Sequence, residues 1–296
     1  MTRTFGLVGV PSSAGAKTAG IDKAPSVIRA AGLVEELRQA GCSVDDHGDL
    51  PRIRHTPDPA NPTAQNLSKV VEVASELSRQ VGAILDSGEI PLILGGDCSI
   101  TVGAVAGFIQ RYPDLLLLYI DGGVDLEIPA TNSEGNLDSM GVTHMLGVPG
   151  TADSLSHIGS RFPLLTPQQV IYYGYEPMPP DDSEEQVLAT YGMAKCSAAE
   201  VRGRAGEAAR KMLEQLPSPF LIHFDVDVIN FVDFPIADVP LINAGLTFAE
   251  AMESLSVFAA SPHFAGLVIT EINPDHMEED GSTARTFVQA LAQALS

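Results

Sequence analysis

Residues 115–125 read LLLLYIDGGVD, and this stretch restricts the fold more than any other. Four leucines, a tyrosine and an isoleucine follow one another, after which Asp121 and Asp125 bracket a Gly-Gly-Val spacer. An unbroken apolar run is the pattern of a strand buried on both faces, as in a parallel sheet. The carboxylates then fall where the strand leaves the sheet, the edge at which open α/β sheets bind ligands.

Two further stretches repeat the arrangement. Residues 219–227, PFLIHFDVD, run from an apolar strand into Asp225 and Asp227, and residues 90–99, IPLILGGDCS, end in two glycines, Asp97 and Cys98. If the three strand ends are neighbours, several aspartates and a thiol converge. Such a set requires a cation or bound protons, because like charges in close contact cannot all stay ionised.

Along the chain, apolar patterns predict strands at 4–10, 42–44, 90–94, 115–120, 170–173, 219–224 and 264–270. Helical spacing predicts helices at 25–39, 64–86, 99–110, 140–146, 197–215, 249–258 and 282–295, with Thr247 as a cap. The segment 129–168 is long and rich in Gly, Ser, Thr and Pro, a composition and length more often functional than idle. Strands alternate with helices and no linker or repeat interrupts them. The expectation is one domain over residues 1–296, a parallel sheet covered by helices on both faces.

The charge balance bears on partners. With 17 Lys and Arg against 38 Asp and Glu, the formal charge is −21, which argues against nucleic acid and anionic membrane as partners. The same field favours cationic substrates and metal ions. Three well-separated cysteines, Cys42, Cys98 and Cys196, argue against a disulfide framework and for a reducing compartment. No stretch approaches a signal peptide or a membrane span, so the expected location is cytoplasmic.

In chain order, GGDCS (95–99), DGGVD (121–125), EGNLDSMG (134–141), FDVDVIN (224–230), GLTFAEA (245–251) and EINP (271–274) resemble the signature blocks of the arginase and agmatinase (ureohydrolase) family. AGIDKAPSVIRAAGL (19–33) and VDDHGDL (44–50) are similar to that family's opening. The resemblance covers nearly the whole chain. It implies a three-layer α/β/α domain with an eight-stranded parallel sheet, usually a homo-oligomer (trimer or hexamer). It also implies a pair of Mn²⁺ ions at the carboxyl edge of the sheet, and hydrolysis of a guanidino or amidino C–N bond by metal-activated hydroxide.

Carried over block by block, the resemblance makes Cys98, Asp121, Asp125, Asp225 and Asp227 the metal ligands. Cys98 and Gly123 stand where the family has histidines, and a thiolate suits Zn²⁺ or Fe²⁺ better than Mn²⁺. Two ions, one ion and none all stay open. Glu271 matches the acid that grips the substrate's cationic head, a geometry that guanidinium favours. Asp138 matches a proton-shuttling histidine. Glu127 and Glu134 match residues that hold an amino acid's α-carboxylate and would repel it, which points away from arginine towards another cationic amidine. The alternative function is an inactive arginase-like protein that binds a ligand or forms oligomers. His223 precedes Asp225 on its strand, faces away from Phe224 and could approach the site, but reads rather as a core histidine satisfied by backbone; His144 is a remote acid–base candidate and Cys98 a candidate nucleophile.

Overall fold

The computed structural model describes residues 3–17, 19–239 and 241–296. The chain begins with strand β1 (Thr4–Gly9), helices α1 (Ala24–Ala30) and α2 (Leu33–Gln39), strand β2 (Ser43–Asp49) and the long helix α3 (Leu67–Asp86). Then come β3 (Ile90–Leu94), α4 (Ile100–Arg111), β4 (Leu116–Ile120), the short helices α5 (Gly141–Leu146) and α6 (Asp153–Ser156), and β5 (Val170–Tyr175). The remainder is α7 (Ser183–Tyr191), β6 (Ala194–Ser197), α8 (Ala198–Val201), α9 (Ala205–Leu213), β7 (Phe220–Asp225), α10 (Phe248–Ala259), β8 (Phe264–Thr270) and α11 (Ser282–Leu295).

The strands form one eight-stranded sheet in the order β2-β1-β3-β8-β7-β4-β5-β6. Every neighbouring pair is parallel. Parallel strands need crossover connections, and here helices supply them on both faces. One face carries α1, α2 and α8 to α11 around Phe5, Phe224, Phe258 and Phe287; the other carries α3 to α7 around Val81, Phe108, Tyr119 and Tyr172. The three-layer α/β/α architecture is as expected. Among the described residues no helix is long and apolar enough to cross a membrane.

Departures from the expected elements lie mostly at the sheet edges. β2 extends to Asp49 rather than ending at residue 44, because its outer half is polar and exposed. Its Asp46 and Asp49 carboxylates are drawn instead to the Arg29 guanidinium on α1. At the opposite edge β6 (AKCS) carries no apolar run and was not predicted, nor was α7, whose Asp182 caps the first turn by accepting the Glu184 N–H at 2.9 Å. The predicted helix 25–39 is two helices, broken where Gly32 takes φ 97°. That left-handed conformation costs little only for glycine. The helix predicted at 197–215 likewise divides into α8 and α9.

The strand order is what builds the site. β3, β8, β7 and β4 lie side by side, with Leu94 opposite Ile269, Asp225 opposite Thr270 and Ile120 opposite Phe224. Their carboxyl ends therefore deliver Cys98, Glu271, Asp225 and Asp121 to a single stretch of the rim.

Candidate metal centre

Asp225 ends β7 and is 2% exposed, as is Asp121 just beyond β4; Cys98, in the turn between β3 and α4, is 3% exposed. The turn is held close by Gly96, where a Cβ would lie 1.7 Å from the Ser12 carbonyl oxygen. The Cys98 thiol donates to Asp225 Oδ2 at 2.6 Å, and Asp225 Oδ1 accepts the Asp227 N–H at 2.7 Å. Asp121 Oδ1 accepts the Gly123 N–H at 2.6 Å, and Asp227 Oδ1 accepts the Gly122 N–H at 2.9 Å.

Of the two expectations for His223, a core histidine bonded to backbone or a neighbour of the site, the structure supports the second. The imidazole is buried, but its Nδ1 pairs with the Thr101 hydroxyl of α4 at 2.7 Å. Its Nε2 lies 3.7 Å from Cys98 Sγ and 3.5 Å from Asp121 Oδ2. Alternation along β7 places residues 223 and 225 on one face, and this was the available signal. The imidazole stacks flat on Tyr119, its register partner on β4, with ring centroids 3.9 Å apart. Tyr119 was missed; its hydroxyl donates to Asp125 Oδ2 at 2.5 Å and so fixes that carboxylate at the edge of the cluster.

Asp125 and Glu271 sit at φ 49° and 60°, two of three non-glycine residues with positive φ among those described. Strained backbone persists where surrounding structure holds it in place, and it concentrates at functional sites. Glu271 accepts the Cys98 N–H at 3.0 Å, which ties the β8 end to the β3 turn. Half-buried Asp138 lies close enough to raise the pKa of both Asp125 and Glu271. The other two candidates have different partners. Glu127 Oε2 accepts the Ser139 hydroxyl at 2.8 Å within the loop, and Glu134 is paired with Lys17 at the surface. His144 is occupied by backbone, its Nδ1 against the Met140 carbonyl at 2.7 Å and its Nε2 accepting the Ala152 N–H at 3.0 Å.

Burial is the main force on the acids of the cluster. It pushes Asp121 up to about 6, Asp138 to about 7 and Asp227 to about 8, with repulsion from neighbouring carboxylates adding to the last two. Asp125, Asp225 and Glu271 are raised well above the ordinary carboxylate range by the same causes. Burial, then Asp225, also raises the Cys98 thiol, a setting that opposes a free thiolate nucleophile. Burial holds His223 neutral, pushed down to about 3.

Asp121 Oδ2 is the one buried side-chain oxygen or nitrogen, among the described residues, without a hydrogen-bond partner. It belongs to a group in which Cys98, Asp121, His223 and Asp225 each offer a ligand atom, all within 4.8 Å of one another. An orphaned carboxylate oxygen beside a thiol, a neutral imidazole and a second carboxylate fits a divalent cation, because burying such an atom unpartnered is costly.

Fold and site together define a three-layer α/β protein with a metal-binding cluster at the carboxyl edge of its sheet. The arginase-family profile matches residues 3–296, and the chain belongs to that family. It is 29% identical to human arginase-1 over 301 residues, covering 100% of this chain and 92% of that protein, and 28% identical to Bacillus subtilis arginase over 98% of both. Its fold is similar to the crystal structure of Bacillus caldovelox arginase, with a TM-score of 0.90 and 26% identity over 100% of this chain and 99% of that one. The family consists of metal-dependent hydrolases of small guanidino compounds.

Proposed function

We propose that this protein hydrolyses a C–N bond of a cationic guanidino or amidino compound lacking a carboxylate at its far end. The observation that carries the reading is the convergence of Cys98, Asp121 and Asp225, with its orphaned Asp121 oxygen, in a chain matched over its length by the arginase family. Cys98, Asp121, Asp125, Asp225 and Asp227 are the residues that would hold one or two divalent ions. A bound ion supplies hydroxide at neutral pH by lowering the pKa of water.

The chain's own groups account for the rest. Glu271, anchored through Oε1 and fixed in an uncommon backbone conformation, offers its carboxylate to the substrate's cationic head. Asp138, pushed to about 7, exchanges a proton near neutrality and suits protonation of the leaving nitrogen. Glu127 adds negative charge at the loop where an α-carboxylate would otherwise be received, which disfavours arginine, while the charge of Glu134 is offset by Lys17.

The test strips the protein with a chelator, reloads it with Mn²⁺, Zn²⁺ or Fe²⁺, and measures urea and amine release. Arginine, its decarboxylated amine and other linear amidines serve as substrates. Metal-dependent turnover, fastest on a substrate without the carboxylate, is the expected result. No turnover on any amidine with any metal would favour the inactive binding or oligomer-forming alternative, and arginine as the best substrate would overturn the proposed role of Glu127.

Gly123 offers a second prediction. A Cβ there meets only Asp121 Oδ1, at an ordinary 3.4 Å. Gly123→His is therefore expected to fold and to add a donor beside Asp121, raising the metal content measured by plasma mass spectrometry towards two ions per chain. Unchanged content in a folded variant would show that residue 123 does not face a second ion.

A further inference from the structure

The cluster mixes hard carboxylate donors with a soft thiol, and His223 stands among them with no part in the proposed hydrolysis. We infer that His223 Nε2 is a metal ligand and that Cys98, Asp121, His223 and Asp225 form a single four-donor centre selective for a Zn²⁺-class ion over Mn²⁺. The inference rests on the site being a metal centre, and it names which residues make it and for which ion.

Three observations carry it. Asp121 Oδ2, buried and without a hydrogen-bond partner, lies 3.5 Å from His223 Nε2, too far for a good hydrogen bond and close enough for both to reach one cation. Second, His223 is held as metal-binding histidines are held: its other nitrogen pairs with a side-chain oxygen, Thr101 Oγ1 at 2.7 Å, and its ring lies flat on Tyr119. With Nδ1–H donated to Thr101, Nε2 presents its lone pair to the cluster. Third, the donors are one sulfur, one imidazole nitrogen and two carboxylates, four in number and all buried. Four donors of N, S and O type suit tetrahedral zinc, and a thiolate in a small set disfavours manganese, which prefers six oxygen-rich positions. The four supply two negative carboxylates and, once the thiol proton leaves to solvent on binding, a third negative charge.

Cobalt(II) is the probe, because it occupies zinc sites and reports its ligands optically. The full-length protein, stripped with a chelator, is titrated with Co²⁺. A near-ultraviolet thiolate-to-cobalt band that saturates at one equivalent is expected, together with a paramagnetically shifted, exchangeable imidazole N–H proton resonance. Zinc should abolish both signals stoichiometrically, and a large excess of Mn²⁺ should leave them in place. Cys98→Ser should lose the optical band and keep the imidazole resonance. His223→Gln, checked for folding by circular dichroism, should lose the resonance and bind Zn²⁺ at least about 100-fold more weakly, beyond the range that loss of a supporting hydrogen bond produces. Thr101→Val should weaken Zn²⁺ less, and Thr101→Ser should restore it.

Absence of the imidazole resonance in the wild-type protein overturns the proposal without recourse to any variant. So does a folded His223→Gln variant that binds Zn²⁺ as tightly as the parent, or displacement of cobalt by equimolar Mn²⁺. The hydrolase reading fails separately: a protein that gives the cobalt signals and turns over no amidine keeps this centre and loses that function.

Discussion

Metal-free protein in high salt is expected to lose thermal stability steadily between pH 5.5 and 8.5, and a saturating divalent ion is expected to remove most of that loss. The cause is the group of buried and half-buried carboxylates whose folded-state pKa is raised, Asp121 to about 6, Asp138 to about 7 and Asp227 to about 8. In the unfolded chain these groups have released their protons above the ordinary carboxylate range. Over the window up to their folded values the native state thus binds more protons than the unfolded state, and stability falls as pH rises. Each unit of displacement is worth about 1.4 kcal/mol, so Asp121 alone represents about 3 kcal/mol, most of it already lost at pH 6 and all of it above. Asp138 and Asp227 continue the loss to about pH 8, and for a chain of this length the sum over the tested range corresponds to a fall in Tm on the order of 10 °C.

A bound cation replaces the protons. Ligands must be deprotonated to bind it, so metal affinity and the stabilisation it brings rise with pH, the opposite slope. At a hundred times Kd the ion adds about 2.7 kcal/mol. High salt separates this effect from the repulsion of a surface with formal charge −21, because exposed charges are screened and buried ones much less so. A metal-free Tm that is flat or rising across the range, read by scanning calorimetry, would remove the buried cluster as a source of strain.

The parts of this arrangement that sequence reveals are those written into single strands. The runs at 90–94, 115–120 and 219–224 are apolar throughout because both faces of β3, β4 and β7 are covered, and their polar ends mark where the sheet stops. The edges are different: β2 is mostly exposed and β6 has only four residues, so neither carries the burial that makes a strand legible. The site follows the same rule. Cys98, Asp121 and Asp225 are visible because each follows an apolar run. His223 and Tyr119 lie inside such runs and look like core, and their meeting depends on the register that pairs β4 with β7. Thr101 is further removed, since it reaches His223 from a helix on a different turn of the chain. The separate engagements of Glu127 with Ser139 and Glu134 with Lys17 are loop contacts that no period in the sequence announces.

Asp225→Asn is expected to move metal binding and metal-free stability in opposite directions. Asp225 is the hub of the cluster: Oδ1 takes the Asp227 N–H at 2.7 Å, Oδ2 takes the Cys98 thiol at 2.6 Å, and the Thr270 hydroxyl lies 3.5 Å away. The amide keeps an acceptor for the Asp227 N–H and has nearly the same shape, so packing survives. It removes a carboxyl whose negative charge is disfavoured first by burial and then by neighbouring carboxylates, so that the parent must take up a proton there to fold at pH 8; after burial, the same charge also raises the Cys98 thiol. At pH 8 the metal-free variant should therefore melt above the metal-free parent. The same charge is what a cation needs, and a neutral amide nitrogen facing it offers no lone pair. Divalent affinity should fall at least about 100-fold, beyond the range that loss of a supporting hydrogen bond produces, and amidine turnover should fall to background. A purely structural role for Asp225 predicts the reverse pair of outcomes: a lower melting point without metal and unchanged binding by calorimetric titration. The sign of the two shifts, read on one variant, decides whether the acids at this rim were assembled for a cation or for the fold.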